Sequence, residues 1–454
     1  MLMKVTAVLL AAGQGTRMKT RLPKVLHPIC GKPMIAHALE VACSASSGKP
    51  VIVVGKDADA ISNFLGDAAS YVLQDPPLGT GHALQQAEAS LRGRTDLVLV
   101  TYADMPLLRL ETLTNLVETQ KKNPGPETIL TVIAADPRGF GRVLRGPGGE
   151  VQAVIEEAAA TPEQLSIREL NAGVYCFSAT WLWDALHRIP LCEKGEYYLT
   201  DTVGLAANDG LPVQSLVCED PTEVIGINTR VHLAEAEAAM RMRINRLHMQ
   251  AGVTIVDPGA TYIEAGVMIG RDTVIWPNTY LRGRTSIGED CVIGPNTIIE
   301  DTTIGNSCTV LAAVMEKAVV EDNVSIGPFA RLRKGAHLCT GVHMGNFGEV
   351  KDATLGPGTK MGHFSYIGNA TLGPQVNIGA GTITCNFDGV NKNSTEIGEG
   401  AFIGSDTMLV APVKVGAHAR TGAGAVVTKD VEADTLVVGV PAKAIRKLNE
   451  AKDE

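Results

Sequence analysis

The sequence predicts an α/β fold class in two parts, a Rossmann-like domain followed by a solenoid of stacked strands, that is, a parallel β-helix. Two observations lead to this prediction. In the first half, short apolar runs alternate with helical patterns, which indicates a mostly parallel sheet. In the second half an aliphatic residue returns every six positions, a spacing that neither a helix nor a half-buried strand produces. We expect the Rossmann-like domain at 1–230, a helical linker at 231–251 and the β-helix at 252–454.

The composition agrees with two or three globular domains. A chain of 454 residues, 45% of them hydrophobic, is long enough to bury a core in each domain. The net charge of -9 argues against nucleic acid as a general partner, because nucleic-acid-binding domains present basic surfaces. An anionic substrate must therefore be held by local basic residues and by backbone amides.

The cysteines and the apolar segments indicate the compartment. The nine cysteines form no CxxC pair and have no regular spacing, so neither a disulfide framework nor a zinc site is indicated. A reducing environment is the simplest interpretation, and we expect a cytoplasmic protein. The apolar run 5–12 is short and is followed by basic residues rather than a cleavage site, which argues against a secretory signal. No segment approaches the ~18 apolar residues needed to cross a bilayer, so no membrane is expected as a partner.

Four apolar runs predict the buried strands of the first domain. They lie at 5–10, 51–54, 97–100 and 129–134, and helical stretches such as 110–121 separate them. In a parallel sheet of this kind, ligands bind at the carboxyl ends of the strands. The first strand runs directly into the glycine-containing loop 11–18, so this loop is expected at such an end.

The loop and its neighbours have the residue types of a phosphate site. Gly13 and Gly15 let backbone amides approach phosphate oxygens, and Arg17 and Lys24 supply positive charge. A bare tight turn is the alternative for the loop alone, since it has neither the third glycine of a dinucleotide fingerprint nor the Lys-Ser/Thr pair of a P-loop. Asp104 follows the strand 97–100 and suits Mg²⁺, although an Asp in this position is also a common turn or N-cap residue.

The composition of the linker predicts a helix. Residues 231–250 contain no Gly or Pro, and Gly252 is expected to end the helix. The apolar stripe on one helix face is predicted to consist of Leu233, Met240, Ile244 and Leu247. A coiled-coil partner is conceivable, and a connector that rests one face on a domain is the simpler interpretation.

The six-residue period predicts a triangular solenoid. Its aliphatic residues are Ile269, Ile275, Leu281, Ile287, Ile293, Ile299, Val320, Ile326, Leu332, Leu355, Met361, Ile367, Leu372, Ile378, Ile397, Ile403, Leu409, Val415 and Val427. Each hexad forms one side of a coil with its aliphatic residue inward, and three hexads close the coil. Coils must stack to bury these residues, and the flat outer sides are free to pack against identical copies. We therefore expect a homotrimer. Ordinary strands of a sandwich are the alternative, but chance is unlikely to keep so many aliphatics in one register.

Chemistry is expected where the six-residue count breaks, because regular coils are scaffold. The count breaks in two regions, between Leu332 and Leu355 and between Ile378 and Ile397. The second region is polar and rich in glycine, which indicates a loop that reaches a neighbouring subunit. Between the two regions, His363 lies in a hexad that keeps the spacing.

Two motifs resemble those of a known family. Residues 10–18 (LAAGQGTRM) and 22–26 (LPKVL) resemble the sugar-1-phosphate nucleotidyltransferases. With the hexads, the chain is similar nearly end to end to the bacterial bifunctional N-acetylglucosamine-1-phosphate uridyltransferase/glucosamine-1-phosphate N-acetyltransferases. This resemblance implies a left-handed β-helix and two activities. Acetyl-coenzyme A would acetylate glucosamine 1-phosphate, and UTP with Mg²⁺ would then convert N-acetylglucosamine 1-phosphate to UDP-N-acetylglucosamine for peptidoglycan and lipopolysaccharide synthesis. The alternative is a monofunctional nucleotidyltransferase with a structural or regulatory β-helix.

The resemblance implies the residues of the uridyltransferase site. Leu10, Ala11, Ala12 and Gly13 would line the pocket for uracil and ribose, and Arg17 and Lys24 would contact the phosphates. Gln74, Gly79 and Thr80 would hold the base, and Tyr102 and Asp104 would lie by the sugar and the metal. Gly141, Glu156 and Asn171 would bind the sugar. Asn228 is implied as the second Mg²⁺ ligand beside Asp104. Because the sugar phosphate is itself the nucleophile, this site needs positioning and charge neutralisation rather than a protein nucleophile.

The resemblance also implies the residues of the acetyltransferase site. His363 would be the general base, because an amine that attacks a thioester must lose a proton and neutral imidazole can accept it. The sugar phosphate would be held by Arg333, Lys351 and Tyr366, the sugar by Glu349, Asn377 and Asn386, and acetyl-coenzyme A by Ala380, Asn386, Phe387, Ser405, Ala423 and Val440. Two positions depart from the family pattern, because Phe387 replaces a common Tyr and Val440 occupies a position where an Arg can occur. Lys443 or Arg446 is a candidate to replace that Arg.

Overall fold

The computed structural model describes residues 3–448 and separates two compact units between Met240 and Arg241. The helices and strands up to the end of the linker are β1 (Val5–Ala11), β2 (Pro28–Ile29), β3 (Lys32–Pro33), α1 (Met34–Ala45), β4 (Val51–Val54), α2 (Ala58–Leu65), β5 (Ser70–Leu73), α3 (Thr80–Gln85), α4 (Glu88–Leu91), β6 (Leu97–Tyr102), α5 (Leu110–Lys122), β7 (Glu127–Ile133), β8 (Arg142–Arg145), β9 (Val151–Ile155), α6 (Pro162–Leu165), β10 (Glu169–Ser178), α7 (Ala179–Leu186), α8 (Asp201–Asn208), β11 (Val213–Cys218) and α9 (Arg230–Gln250). The boundaries of the three predicted segments stay predictions.

The first unit is built on a sheet with the strand order β11-β7-β10-β6-β1-β4-β5. β1 lies between β4 and β6 and is parallel to both. Its residues alternate between two apolar layers, so that Leu9 packs on the side of α1 and α5 while Val8 packs on the side of α3, α7 and α8. Helices therefore cover both faces of the sheet, which is the Rossmann-like arrangement that the sequence predicts.

The four strands predicted for the first domain are present, but the sequence analysis missed the antiparallel strand β10. The run at 97–100 continues as β6 to Tyr102, and the run at 129–134 forms β7. β10 lies antiparallel between β6 and β7, and its register shifts between Asn171 and Tyr175. Gly173 lies within this irregularity at φ 81. An irregular strand of this kind has no clean apolar period, which explains why the sequence did not predict it.

The second unit is a left-handed parallel β-helix with three faces. Face 1 contains Thr254–Ile255, Val274–Ile275, Val292–Ile293, Thr309–Val310, Ser325–Ile326, His343–Met344, Lys360–Met361, Asn377–Ile378, Phe402–Ile403, Arg420–Thr421, Thr435–Val438 and Lys443–Lys447. Face 2 contains Thr261–Ile263, Thr279–Arg282, Thr297–Glu300, Val314–Glu316, Arg331–Leu332, Glu349–Lys351, Tyr366–Gly368, Ile383–Cys385, Met408–Val410 and Val426–Val427. Face 3 contains Met268–Ile269, Ser286–Ile287, Thr303–Ile304, Val319–Val320, Ala336–Leu338, Ala353–Leu355, Ala370–Leu372, Thr395–Ile397 and Val413–Val415. The strands within each face are parallel except for the last pair of face 1.

The predicted hexad residues are buried except for Ile269, which is half-buried, but one of the two predicted breaks in the count is wrong. Ile275, Leu281 and Ile293 are each 0% exposed, as an inward position requires. Between Leu332 and Leu355, where the sequence predicted an irregular region, three more buried residues continue the coils: Leu338, Met344 and Val350. All three keep the six-residue count from Leu332, and the count slips only at Leu355, five residues after Val350. This segment is therefore regular coil.

Shortened corners explain these shorter intervals. Ile304 lies five residues after Ile299, and both are buried. Asp301, at the corner between them, has φ 47, a left-handed conformation that turns the chain within fewer residues. The second predicted break is present. Inward residues Thr384 and Ile397 lie 13 positions apart, and residues 386–394 form a loop between them.

The linker forms helix α9, one residue longer at its start than predicted. Met240 and Ile244 of the predicted stripe are buried, whereas Leu247 is 60% exposed, so the stripe is wrong at its last position. Fully buried Asn245 lies beside Ile244 and donates through Nδ2 to the carbonyl of Pro258, at 2.9 Å. Of the helices in the described part of the chain, none combines the length and the apolarity that crossing a bilayer requires.

Two candidate active sites

The first candidate site is a cavity of about 490 Å³ at the carboxyl ends of β1 and β6. Eleven of the fifteen predicted uridyltransferase residues line it: Leu10, Ala11, Ala12, Gly13, Arg17, Lys24, Gln74, Gly79, Thr80, Tyr102 and Asp104. They come together through strand pairing. β1 pairs with β6, which places Leu10 opposite Tyr102. On its other side β1 pairs with β4, β4 pairs with β5, and Gln74 directly follows β5. The cavity thus lies where a parallel sheet is expected to bind its ligand.

The glycine loop presents bare backbone to the cavity. A Cβ atom placed on Gly13 would meet nothing within 4 Å, so no packing inside the chain requires glycine there. Gly15 differs, because its φ is 62 and a Cβ would lie 2.7 Å from Cβ of Lys24. Gly15 therefore brings the loop against Lys24, while Gly13 leaves space for a ligand group to approach the backbone.

A lysine ammonium bridges the two predicted metal ligands. Nζ of Lys24 forms an ion pair with the Asp104 carboxylate and lies 3.2 Å from Oδ1 of Asn228. The Lys24 side chain is only 9% exposed. Two oxygen atoms thus converge on one cation, and carboxylate and amide oxygens are the ligands that Mg²⁺ prefers. The donor set at this point fits a divalent metal.

Three of the predicted sugar-site residues lie behind Tyr102 rather than in the wall of the cavity. Asn171 Nδ2 donates to the hydroxyl of Tyr175 at 2.7 Å, and the carbonyl of Gly141 accepts from the backbone amide of Asn171 at 2.9 Å. Glu156 accepts from the hydroxyl of Thr200 at 2.9 Å. The fourth residue outside the cavity wall is Asn228, described above.

Tyr102 connects this group to the cavity. Burial raises the pKa of its hydroxyl well above the usual range, and the negative charges of Asp104 and Glu156 raise it further. The hydroxyl therefore stays protonated and acts as a hydrogen-bond donor or acceptor rather than as a base. Its hydrogen-bond partner within the chain is Thr80.

The sequence missed several residues that line the cavity. They are Gln14, Val25, Pro77, Ala83, Glu196 and Tyr198. Glu196 and Tyr198 lie in the connection between α7 and α8, which has no recognisable motif. Their approach is fixed by backbone contacts, since the amide of Tyr197 donates to the carbonyl of Leu78 at 2.8 Å. Only the folded chain reveals such a neighbour.

The second candidate site begins with a row of polar side chains on face 2. Parallel pairing places Arg331 opposite Glu349 and Glu349 opposite Tyr366 in three successive coils. Arg333 follows the first of these strands and forms a salt bridge to Glu349 at 3.0 Å. Lys351 ends the second strand and lies 3.3 Å from Asp352. Four residues predicted from the resemblance are therefore close neighbours: Arg333, Glu349, Lys351 and Tyr366.

A cation that the sequence analysis missed joins this row from the inserted loop. The loop is held by Asp388, whose carboxylate accepts from the amides of Val390 and Asn391 at 2.8 and 2.7 Å, and by pairing of Phe387 with Lys392. The side-chain nitrogen of Lys392 lies within hydrogen-bond distance of that of Lys351, and the positive charge of Lys351 lowers the pKa of Lys392. Two cations placed so close are stabilised by an anion between them.

His363 lies on the corner that joins face 1 to face 2. It is exposed, and its Nδ1 is 3.3 Å from Oδ1 of Asn346, which occupies the same corner one coil earlier. Three residues predicted for acetyl-coenzyme A occupy this corner in the following coils: Ala380, Ser405 and Ala423. Backbone bonds link these corners, since the amide of Asp406 donates to the carbonyl of Ala380 at 2.7 Å. The edge is thus a continuous column of small or polar residues after His363.

The remaining predicted residues lie around this column. Asn377 is on face 1, paired in register with Lys360, and Asn386 donates through Nδ2 to Oδ1 of Asn369 at 2.6 Å. Phe387 and Val440, the two departures from the family pattern, are 60% and 74% exposed. Neither packs into the solenoid, so both are accessible to a ligand or to another chain.

Comparisons with known proteins agree with both halves. A family model described as MobA-like NTP transferase domain matches residues 7–192, and one described as Bacterial transferase hexapeptide (six repeats) matches residues 266–301 and 394–429. The relative named Bifunctional protein GlmU from Heliobacterium modesticaldum is 47% identical over 436 residues, which cover 96% of this chain and 95% of the relative. The protein of the same name from Geobacillus sp. is 44% identical over 449 residues, 99% of this chain and 98% of its own length.

The sheet-edge cavity and the hexapeptide coils define a class of protein, a nucleotidyltransferase joined to a hexapeptide-repeat acyltransferase. Proteins of this class use a divalent metal and acetyl-coenzyme A, and their substrates are nucleotide sugars and acyl-coenzyme A. The chain belongs to the family of bifunctional GlmU proteins. The prediction of an enzyme with both a uridyltransferase and an acetyltransferase activity is confirmed, and it is favoured over a monofunctional enzyme with a merely structural solenoid.

Proposed function

We propose that this chain makes UDP-N-acetylglucosamine in two steps at two separate sites. The second unit transfers the acetyl group of acetyl-coenzyme A to the amine of glucosamine 1-phosphate. The first unit then joins N-acetylglucosamine 1-phosphate to UTP, with Mg²⁺, and releases pyrophosphate. The product feeds the synthesis of peptidoglycan and lipopolysaccharide in the cytoplasm, and the active form is a homotrimer built on the flat faces of the solenoid.

In the uridyltransferase reaction, a phosphate oxygen of the sugar substrate attacks the α-phosphorus of UTP, and pyrophosphate leaves. No side chain has to act as the nucleophile, so the chain's contribution is alignment and neutralisation of charge. The bare backbone at Gly13 and the cations Arg17 and Lys24 hold the triphosphate. Asp104 and Asn228 would hold Mg²⁺, which supplies further neutralisation of phosphate charge when it is bound.

Accommodating a metal requires Lys24 to move. Its ammonium is now paired with Asp104 and Asn228, the two proposed metal ligands. The Lys24 ammonium would be repelled by a divalent cation held at these oxygens and attracted by the phosphates of UTP. Lys24 would therefore turn toward the triphosphate.

In the acetyltransferase reaction, the sugar amine attacks the thioester carbonyl, coenzyme A leaves as the thiol, and His363 accepts the proton that the amine loses. In the tautomer whose Nδ1–H donates to Oδ1 of Asn346, at 3.3 Å, the Nε2 atom has a free lone pair. Asn346 would thus favour the tautomer in which Nε2 can act as a general base. His363 lies on an exposed corner, where a substrate amine can reach this lone pair.

The neighbouring cations position the other end of the sugar. Arg333, Lys351 and Lys392 would share the phosphate of glucosamine 1-phosphate, and Tyr366 would donate its hydroxyl. This row of cations is the observation that most favours an anionic sugar as substrate, because the chain as a whole has a net charge of -9. Ala380, Ser405 and Ala423, with Asn386 and the exposed Phe387 and Val440, would hold acetyl-coenzyme A along the corner.

Two variants test the two sites separately. His363→Ala should reduce thiol release from acetyl-coenzyme A by at least about 100-fold and leave pyrophosphate formation unchanged. Asp104→Ala should reduce pyrophosphate formation and leave thiol release from acetyl-coenzyme A unchanged. His343→Ala is the matched control, because His343 is an exposed imidazole on face 1. Its Nδ1 atom lies 2.7 Å from the hydroxyl of Ser325, away from the residues proposed for either site. Undiminished thiol release in His363→Ala would exclude His363 as the base, and loss of both activities in either variant would exclude independent sites.

The oligomeric state is tested on the native protein. Sedimentation equilibrium should give three times the chain mass of 47.8 kDa. A monomer with full acetyltransferase activity would exclude the proposal that the homotrimer is the active form.

A further inference from the structure

Three metal-ligating side chains of different types meet on the outer surface of the solenoid, and none belongs to either candidate active site. Glu321, His337 and Cys339 each offer one ligand atom, and these atoms lie within 4.8 Å of one another. Nε2 of His337 is 2.8 Å from Oε1 of Glu321, and the Cys339 thiol hydrogen-bonds with the same carboxylate. All three residues are half-buried.

The backbone that presents these side chains is rigid. Glu321 directly follows a strand of face 3, and His337 and Cys339 lie in and directly after the next strand of that face. The amide of Glu321 donates to the carbonyl of Leu338, and the amide of Cys339 to that of Leu355, both at 2.9 Å. Ligands on paired strands keep their spacing better than ligands on a loop.

A neighbouring threonine orients the carboxylate. The backbone amide and the hydroxyl of Thr340 both donate to Oε2 of Glu321, each at 2.9 Å. These two bonds occupy one carboxylate oxygen and direct the other, Oε1, toward His337 and Cys339. Second partners of this kind are typical of carboxylates that bind metals.

We propose that Glu321, His337 and Cys339 form a binding site for a thiophilic divalent cation, best matched by Zn²⁺. Thiolate, imidazole and carboxylate are zinc ligands, whereas Mg²⁺ prefers oxygen alone. With bonds of about 2.0–2.3 Å, tetrahedral coordination places ligand atoms about 3.3–3.8 Å apart, a change that side-chain rotation can supply. The cation replaces the hydrogen bond between His337 and Glu321, the Cys339 thiol releases its proton to solvent, and water takes the fourth position.

The sequence did not indicate this site, because its ligands do not follow a metal-binding spacing. Glu321 lies 16 residues before His337, which is close to one coil of the solenoid. A cation held here joins two successive coils. It should therefore raise the thermal stability of the folded chain by binding the native state and not the unfolded one.

The test uses the full-length protein after removal of metals with a chelator. Zn²⁺ is titrated in competition with a chromophoric chelator, with Mg²⁺ in excess so that the oxygen ligands of the uridyltransferase site do not take up zinc. We expect one tight Zn²⁺ per chain, and at least about tenfold weaker binding for Cys339→Ser and for His337→Ala. Co²⁺, used as a second probe, should give a thiolate charge-transfer absorption that Cys339→Ser abolishes.

Matched controls distinguish this site from scattered thiols and imidazoles. Cys43→Ser removes another cysteine, an exposed one, and His343→Ala removes an exposed histidine of face 1. Neither change should alter the zinc stoichiometry or the cobalt spectrum, and rates of acetyl transfer report whether each variant is folded. Wild-type binding in Cys339→Ser, or equal losses in the controls, would overturn the proposal and leave the cluster as a hydrogen-bonded ion pair. Glu321→Gln should weaken zinc binding while preserving the shape of the side chain.

Discussion

Nδ1 of His363 lies 3.3 Å from the side-chain oxygen of Asn346, which occupies the same corner of the solenoid one coil earlier. In the tautomer that donates from Nδ1 to this oxygen, Nε2 carries no proton, and we propose Asn346 as a positioning residue for His363.

Asn346→Ala should lower kcat for acetyl transfer by about 10- to 100-fold, because the imidazole loses the acceptor that orients its tautomer. The KM values for both substrates should change little, since Asn346 is not among the residues proposed to hold them. Steady-state assays of thiol release measure both constants. An unchanged kcat, or an effect confined to KM, would contradict the positioning role, and uridyl transfer serves as the internal control.

Lys392→Ala should raise the KM for glucosamine 1-phosphate by about 10- to 100-fold, which corresponds to losing one charge-assisted hydrogen bond of about 1.5–3 kcal/mol. The KM for acetyl-coenzyme A should be far less affected, and Lys392→Arg should restore part of the loss. The matched control is Lys414→Ala, a lysine on face 3 whose ammonium pairs with Glu396 at 3.1 Å. A KM unchanged by Lys392→Ala would remove this residue from the phosphate site.

Asn228→Ala should increase the Mg²⁺ concentration that gives half-maximal uridyl transfer by about tenfold, because one of two proposed oxygen ligands is removed. Saturating Mg²⁺ should restore much of the rate, since Asp104 remains. Pyrophosphate release measured across a Mg²⁺ titration tests this. If the variant has the wild-type Mg²⁺ dependence, Asn228 is not a ligand, and its contact with Lys24 has another role.

Glu127 should make the first unit less stable as the pH rises. Its side chain is fully buried, and burial raises its pKa to about 8, although a hydrogen bond from Thr202 at 2.9 Å opposes the shift. Between the ordinary pKa of 4.5 and the folded value of about 8, the unfolded chain loses this proton and the native chain keeps it. Stability therefore falls as pH rises through this window, with a limiting slope of about 1.4 kcal/mol per pH unit.

The variant Glu127→Gln cannot ionise and should flatten this dependence. Urea midpoints between pH 5 and pH 8 measure it, and Glu150→Gln, at an exposed carboxylate, is the control. If Glu127→Gln and the parent lose stability in parallel, the buried carboxyl is not the cause.

Much of the fold could be predicted, because its main signals are local. Residues at the inward positions, such as Ile275 and Leu281, recur along the chain, and β1 is a continuous apolar run. The prediction was wrong where the spacing changes without a change of structure. Leu338, Met344 and Val350 keep the six-residue count from Leu332, and only the five-residue step from Val350 to Leu355 departs from it.

The sites were predictable only in part, because some of their residues are brought together by the folding of segments that lie far apart in the sequence. Lys392 reaches Lys351 from an inserted loop, and no spacing along the chain indicates that contact. Glu196 enters the first cavity from a segment without a motif. The acetyltransferase residues His363, Ala380, Ser405 and Ala423 share one corner, and Arg333, Glu349, Lys351 and Tyr366 lie in or beside strands of face 2, but their roles stay predictions until the variants above are measured.

The shortened corners bear on how such a chain can change in length. Where Asp301 turns with φ 47, one residue fewer is needed between two buried positions, yet the inward residues on both sides keep their orientation. Single-residue deletions at corners are thereby absorbed locally, whereas a deletion inside a strand would turn every later side chain of that strand over. Related chains can accordingly differ by single residues at the corners of the solenoid while the buried residues inside it keep their arrangement.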